Sequence, residues 1–331
     1  MRKNMSVYLP MLLAAIIWSL YPLAATLGLQ TMSSIQMIMV VYFFSGFGAL
    51  IMGSLYLWYK KAIGRAIKIQ KNLHLNDYLT ILISGTAGVL CHTFFIVSLT
   101  MANKGGVSLL YESWPIIAVV ATPFLIKKQW KEVSLKEFII SFIALIGVGI
   151  IILSDKEINI SFNKTTLLTD SIDYKALGGY ILAFAGGYMC AVLVVTKGVY
   201  AEKFSALDDS FGATMISEIF SRSISLVWML IGFCFLNEQM DFATINWPST
   251  FYIGFVVFVV GGALYTYGLL KSETPTIHIL YYLVPVFAVV WLWLARETEI
   301  NAGLFIGGFI VLTCNAYLFH AGRKAEFTSA L

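Results

Sequence analysis

The sequence predicts an all-α polytopic membrane protein: ten transmembrane helices arranged as two inverted five-helix repeats, with both termini cytoplasmic. Three observations predict it. The 331-residue chain is 59% hydrophobic and 12% charged, with mean hydropathy +0.82, which is roughly half the charged fraction of a soluble domain. Its apolar residues gather into ten runs, most of them bilayer-length and all too continuous for barrel strands. Its lysines and arginines are placed asymmetrically. With ten spans, the termini and the loops after spans 2, 4, 6 and 8 share one side, which carries about 15 of them against about 5 on the other. The positive-inside rule makes that side cytoplasmic. Each half holds an odd number of spans, so the halves are expected to sit inverted in the membrane.

Arg2 and Lys3 precede the first run, Leu9 to Leu27, which contains Trp18, Tyr21 and Pro22. It is long for a signal-peptide core and many spans follow, so it reads as a retained helix. The second span covers about Ile35 to Tyr59, and a basic loop follows with Lys60, Lys61, Arg65, Lys68 and Lys71. The third, Tyr78 to Met101, carries Cys91 and His92. A turn at Asn103-Lys104-Gly105-Gly106 leads into the fourth, Val107 to Ile126. The fifth is Phe138 to Leu153, where Gly147 and Gly149 permit close helix approach. Ser154 to Lys175 is the one long polar stretch and reads as an extracytoplasmic linker. The second half has spans at about Ala176 to Tyr200, Phe211 to Leu236, Phe251 to Leu270, Ile277 to Leu294 and Gly303 to Phe319. The expected units are a repeat over 1–153, a linker over 154–175, a repeat over 176–322 and a cytoplasmic tail over 323–331.

The fourth span carries Tyr111-Glu112-Ser113-Trp114-Pro115, and Tyr281-Tyr282-Leu283-Val284-Pro285 of the ninth falls in register with it 170 residues later. Pro115 and Pro285 are the expected helix breaks. Matched interruptions in the two halves point to a transporter's binding site. A carboxylate in such a span must face protein or water. Glu112 is therefore either a cavity carboxylate that binds a cation or a proton, or a structural acceptor. Trp114 and Tyr111 offer ring faces for an aromatic or cationic ligand, or ordinary packing. His92 is a candidate ligand contact or proton carrier against the alternative of a satisfied buried imidazole. Glu218 and Arg222 stand at i, i+4 and can pair, as a structural bridge or as a gate. Tyr265 and Tyr267, after Gly261-Gly262, suggest a cavity wall. Lys197 is expected to snorkel to the cytoplasmic surface, and His278 to lie at the interface.

The chain has no phosphate loop, dinucleotide fingerprint or HExxH motif, and no soluble segment long enough for a nucleotide site. No cofactor, metal or nucleic acid is expected. Cys91, Cys190, Cys234 and Cys314 all fall in apolar spans without a CxxC, so they read as small buried hydrophobes.

Ten spans, two five-span halves and the prolines in spans 4 and 9 make the chain resemble EamA-type carriers of the drug/metabolite transporter superfamily. Within that group it is most similar to bacterial aromatic amino-acid exporters. Those carry Tyr-Leu-Trp-Pro in span 4, where this chain reads Glu112-Ser113-Trp114-Pro115. Ile17-Trp18-Ser19, Leu182-Ala183-Phe184 and Tyr265-Thr266-Tyr267-Gly268 are also similar. The resemblance implies that spans 4 and 9 line a cavity with 3, 6 and 8 around them. The residues nominated for substrate contact are Trp114, Tyr111, Glu112, His92 and Tyr265. Two departures stand out: Glu112 replaces a Tyr, and Cys190 replaces a Trp common in that group. They predict a roomier, more acidic site suited to a cationic or zwitterionic substrate.

The expected function is thus secondary transport of a small amphipathic metabolite across the cytoplasmic membrane, an amino acid or related nitrogenous compound, in the export direction. The partners are that solute and the bilayer, with protons as an open question, for a monomer or homodimer. The rival readings are a multidrug-type exporter of organic cations, an intramembrane enzyme and a non-transporting scaffold.

Overall fold

The computed structural model describes residues 2–63, 74–114, 135–154, 173–205, 210–235, 240–271 and 283–329. Pro115, His278, Tyr281, Tyr282 and nearly all of the expected linker lie outside these residues. All regular structure among the described residues is helical. Helix α1 is Arg2–Ser19, α2 Tyr21–Leu29, α3 Ser34–Ala62, α4 Leu75–Ser98, α5 Lys104–Tyr111 and α6 Leu135–Leu153. In the second half α7 is Tyr174–Ser205, α8 Ser210–Phe235 and α9 Trp247–Phe251. A π-helix, Tyr252–Gly261, runs on into α10, Gly262–Lys271, and α11 (Leu283–Leu294) and α12 (Ala302–Ser329) follow. Six helical stretches have the length and apolarity to cross a bilayer: Leu9–Leu29, Ser34–Ala62, Leu75–Ser98, Tyr174–Lys197, Thr214–Phe235 and Trp247–Gly268. Phe142–Leu153, Leu283–Leu294 and Ala302–Cys314 are shorter apolar helices. The fourth sequence span is described only as far as Trp114.

Local chemistry sets several ends. Ser33 caps α3 by accepting from the Gln36 amide at 3.2 Å, and Asn246 caps α9 through the Ser249 amide at 3.2 Å, with Pro248 in the first turn. The expected turn at Asn103–Gly106 is instead a helix start. The Asn103 side chain accepts from the Gly105 and Gly106 amides at 3.0 and 3.1 Å, so both glycines join the first turn of α5. Pro285 lies within α11 and is buried.

The packing is organised as an exchange of halves. Helix α3 packs on α8, α6 on α12 and α5 on α11, each pairing one half with the matching element of the other. Several of the other contacts also come in matched pairs. The α4–α7 contact corresponds to α1 against the π-helix and α10. The α4–α8 contact corresponds to α3 against the π-helix, and α5–α7 corresponds to α1–α11. The α6–α12 crossing needs glycine on both sides. A Cβ on Gly147 would lie 2.9 Å from the Gly307 carbonyl, and one on Gly307 would lie 2.5 Å from the Gly147 carbonyl. Gly149 faces open space, contrary to its expected packing role. The outer faces are apolar: Phe43, Phe47, Leu55, Phe142, Phe233 and Phe305 are all exposed, as lipid-facing side chains are.

Candidate functional site

Three interruptions of regular helix converge on one cavity. The first is at Leu20, between α1 and α2, where Pro22 cannot donate to the Trp18 carbonyl. There the Tyr252 hydroxyl donates to the Ile17 carbonyl at 2.8 Å. The second is at the end of α5. Glu112 still donates to Ser108 O at 3.0 Å, but Ser113 closes a tighter turn onto Leu110 O at 3.1 Å, and its hydroxyl donates to the same carbonyl at 2.6 Å. The next carbonyl, that of Tyr111, faces Gly187 of α7, whose Cβ would stand 2.9 Å away. Only glycine lets α7 approach this break. The third is the π-helix. Its Val257 carbonyl accepts from Trp18 Nε1 at 3.0 Å, and its Phe258 carbonyl from an Arg222 amino group at 3.0 Å. Irregular backbone inside a membrane bundle is tolerated where it lines a cavity or meets side-chain donors. Both conditions hold here.

The cavity is open on one side and holds about 100 Å³ of space that water can reach. Its lining brings together all five sequence-nominated contacts: Tyr111, Glu112 and Trp114 from the fourth span, His92 from α4 and Tyr265 from α10. One wall is aromatic. His92 stacks on Phe258 with centroids 3.7 Å apart, and Tyr111 lies 4.3 Å from Phe95. Trp18 leans on Tyr265 at 4.9 Å. His92 Nδ1 and the Tyr111 hydroxyl are hydrogen-bonded at 3.2 Å. Tyr267, two residues from Tyr265, points elsewhere and meets Phe211 at 5.8 Å.

The charges form a second group. Glu218 is 1% exposed and accepts Arg222 Nε at 3.3 Å through one oxygen and the Lys197 ammonium through the other. Lys197 therefore does not reach the surface as expected. It is 9% exposed and turned into the cavity, where it pairs with the buried carboxylate of Glu218 on the next helix. With Glu112 on the wall, the described site holds two carboxylates and two cations. The predicted net acidity is thus offset. Cys190 lines the cavity, and Cys91 and Cys314 are buried. Cys234 is exposed, so the fourth cysteine is not the buried residue that its apolar span suggests.

Lys197 carried a readable signal that the snorkelling expectation set aside: an ionisable side chain inside an apolar span is by default functional. Tyr21 and Trp18 flank a span-1 proline much as Trp114 flanks one in span 4. Phe258 carried no signal, since YIGFVVFVVG reads equally well as ordinary lipid-facing helix.

The model of the EamA-like transporter family matches the chain twice, over residues 5–153 and 177–317. The chain belongs to the EamA-like transporter family. The cavity of this EamA-like transporter is thus built from both family repeats, with Tyr111, Glu112 and Trp114 from one and Lys197, Arg222, Phe258 and Tyr265 from the other. No curated protein matches the sequence. Among solved structures, one crystal structure is similar at TM-score 0.55 and 16% identity, covering 96% of this chain and 99% of its own. It shares the fold.

Proposed function

We propose that this EamA-like transporter is a secondary carrier of the cytoplasmic membrane that exports a small amphipathic zwitterion, an amino acid or a related nitrogenous compound. In this reading ten spans form two inverted repeats with both termini in the cytoplasm, and one repeat rocks against the other around a fixed midplane site. One observation carries it. A single cavity between the repeats joins an aromatic wall to two carboxylates and two cations. Glu112 takes the ammonium of the ligand. Lys197 and Arg222, which outnumber Glu218, take its carboxylate. Trp114, Tyr111, Tyr265 and His92 receive its side chain. A zwitterion meets both charge groups and leaves neither ligand charge buried and unpaired.

The runner-up is an organic-cation exporter, favoured by Glu112 beside Trp114. A plain cation gains at Glu112 but meets Lys197 and Arg222 with nothing to offer them. Thermal stabilisation of the detergent-purified protein separates the two, because a ligand of the folded state raises its apparent stability with occupancy. Aromatic amino acids are expected to stabilise, with the effect weakened in both E112Q and W114A. Stabilisation by quaternary ammonium cations with amino acids inert would overturn the proposal.

A further inference from the structure

Two cavity-lining side chains each keep a buried polar atom that has no hydrogen-bond partner among the described residues: the Tyr21 hydroxyl and His92 Nε2. Tyr21 is 3% exposed and His92 8%. They come from different helices, α2 and α4, yet their rings meet edge-on with centroids 5.8 Å apart. Around them the wall is aromatic. Tyr21 is 4.8 Å from Phe95 and 5.5 Å from Phe258, on which His92 stacks. Folded proteins rarely leave a buried donor or acceptor unpaired, and each exception calls for a cause. Both residues line the same cavity while the two atoms themselves are closed off from it, so a ligand that shifts the aromatic wall can complete both.

The chemistry of the missing partner follows from what the two atoms can do. The Tyr21 hydroxyl both donates and accepts. His92 Nε2 does one or the other, as Nδ1 and the Tyr111 hydroxyl decide between them. That hydroxyl also reaches Cys91 Sγ at 3.8 Å, so it can accept from Nδ1 while donating to sulfur, or donate to Nδ1 itself. An ammonium only donates and fails when Nε2 carries the proton. A carboxylate only accepts and fails when it does not. A hydroxyl serves either tautomer and completes Tyr21 as well.

We infer that Tyr21 and His92 form a hydroxyl-reading subsite, which pairs with an alcoholic or phenolic group at the ring-bearing end of the ligand and makes the carrier prefer hydroxylated ligands to their deoxy analogues. This rests on the proposal that the cavity holds a small amphipath. It adds that the apolar end of that amphipath is not a plain hydrocarbon. Sites built to bond a substrate hydroxyl discriminate strongly against the analogue lacking it, since the protein atoms are then left unpaired.

The test uses two matched pairs, L-tyrosine with L-phenylalanine and tyramine with phenethylamine, titrated by thermal shift on the purified full-length protein. In at least one pair the hydroxylated member is expected to bind at least about tenfold tighter. In Y21F, and separately in H92F, that ratio falls towards one. Y21F deletes an unpaired buried hydroxyl, so its unliganded melting midpoint is expected to hold or rise. Equal affinity within each pair in the wild type overturns the inference, as it would if an ordered water permanently bridged the two atoms, and this needs no variant to fold. A large ratio that neither substitution reduces overturns the assignment to these residues. If no member of either pair binds, the amphipath reading itself falls and takes this inference with it.

Discussion

Glu218 concentrates the electrostatics of the site in one side chain. Its two oxygens hold Lys197 from α7 and Arg222 from its own helix, and Arg222 in turn holds the Phe258 carbonyl. Removing one member of a buried charge group is far more damaging than the group's net worth, because its partners stay buried and unpaired. E218Q is therefore expected to cost about 3 kcal/mol or more of stability, read as a fall in the denaturation midpoint in detergent. A midpoint within error of wild type would show that Lys197 and Arg222 find water instead. Half of this arrangement was legible: Glu218 and Arg222 share a helix face by spacing alone. The pairing of Lys197 with Glu218 was not, because no local rule links that lysine to a carboxylate 21 residues away on another helix. The five nominated contacts were legible as exceptions to apolar composition. Tyr21 was hidden among 17 tyrosines and lacked a charge to draw attention.

Helix termini and crossings carry their own tests. The end of α11 is a Schellman turn: Glu297 N–H donates to Leu292 O at 2.8 Å and Arg296 N–H to Trp293 O at 2.9 Å, with Arg296 at φ 62°. An arginine sits where glycine is unstrained. R296G is expected to leave stability unchanged or raise it by up to about 1 kcal/mol, and a lowered melting midpoint would contradict that account. At the α6–α12 crossing the contact is backbone to backbone and cannot yield by a rotamer change. G307A is expected to cost about 1–3 kcal/mol, whereas G149A, facing open space, leaves the midpoint where it was. Equal midpoints for the two variants would dismiss the crossing as a constraint. Most of the spans could be read from composition because apolar length is a strong signal. The π-helix could not, since its residues suit an α-helix equally and its width is fixed by donors from Trp18 and Arg222 in other helices.

At the scale of the molecule, the halves meet along matched helices, and the cavity lies between them with lining from both repeats. One end of the bundle is tied across them: Gln30 donates to Glu297 at 2.8 Å, Lys104 pairs with the same carboxylate, and Thr298 donates to Asn103 at 3.0 Å. These links join the tip of α2, the start of α5 and the loop after α11. The Lys104 and Glu297 side chains are 30% and 18% exposed, so the bridge contributes at most about 1 kcal/mol to stability. If this tip must part for the cavity to open on that side, E297A changes the exchange rate several-fold while the melting midpoint stays close to wild type. An unchanged rate would remove the tip from the transport cycle. The division into two repeats was legible from the matched proline-bearing spans 170 residues apart, but the tip was not, because its residues are ordinary polar loop residues in sequence. The central claim is that this cavity carries solute across the membrane. Solute counterflow in proteoliposomes tests it most directly, using whichever amino acid stabilises the purified protein. The account predicts transient accumulation of labelled solute against preloaded unlabelled solute, lost in W114A. A ligand that stabilises the protein through Trp114 yet never exchanges across the bilayer would contradict it and make the cavity a receptor site.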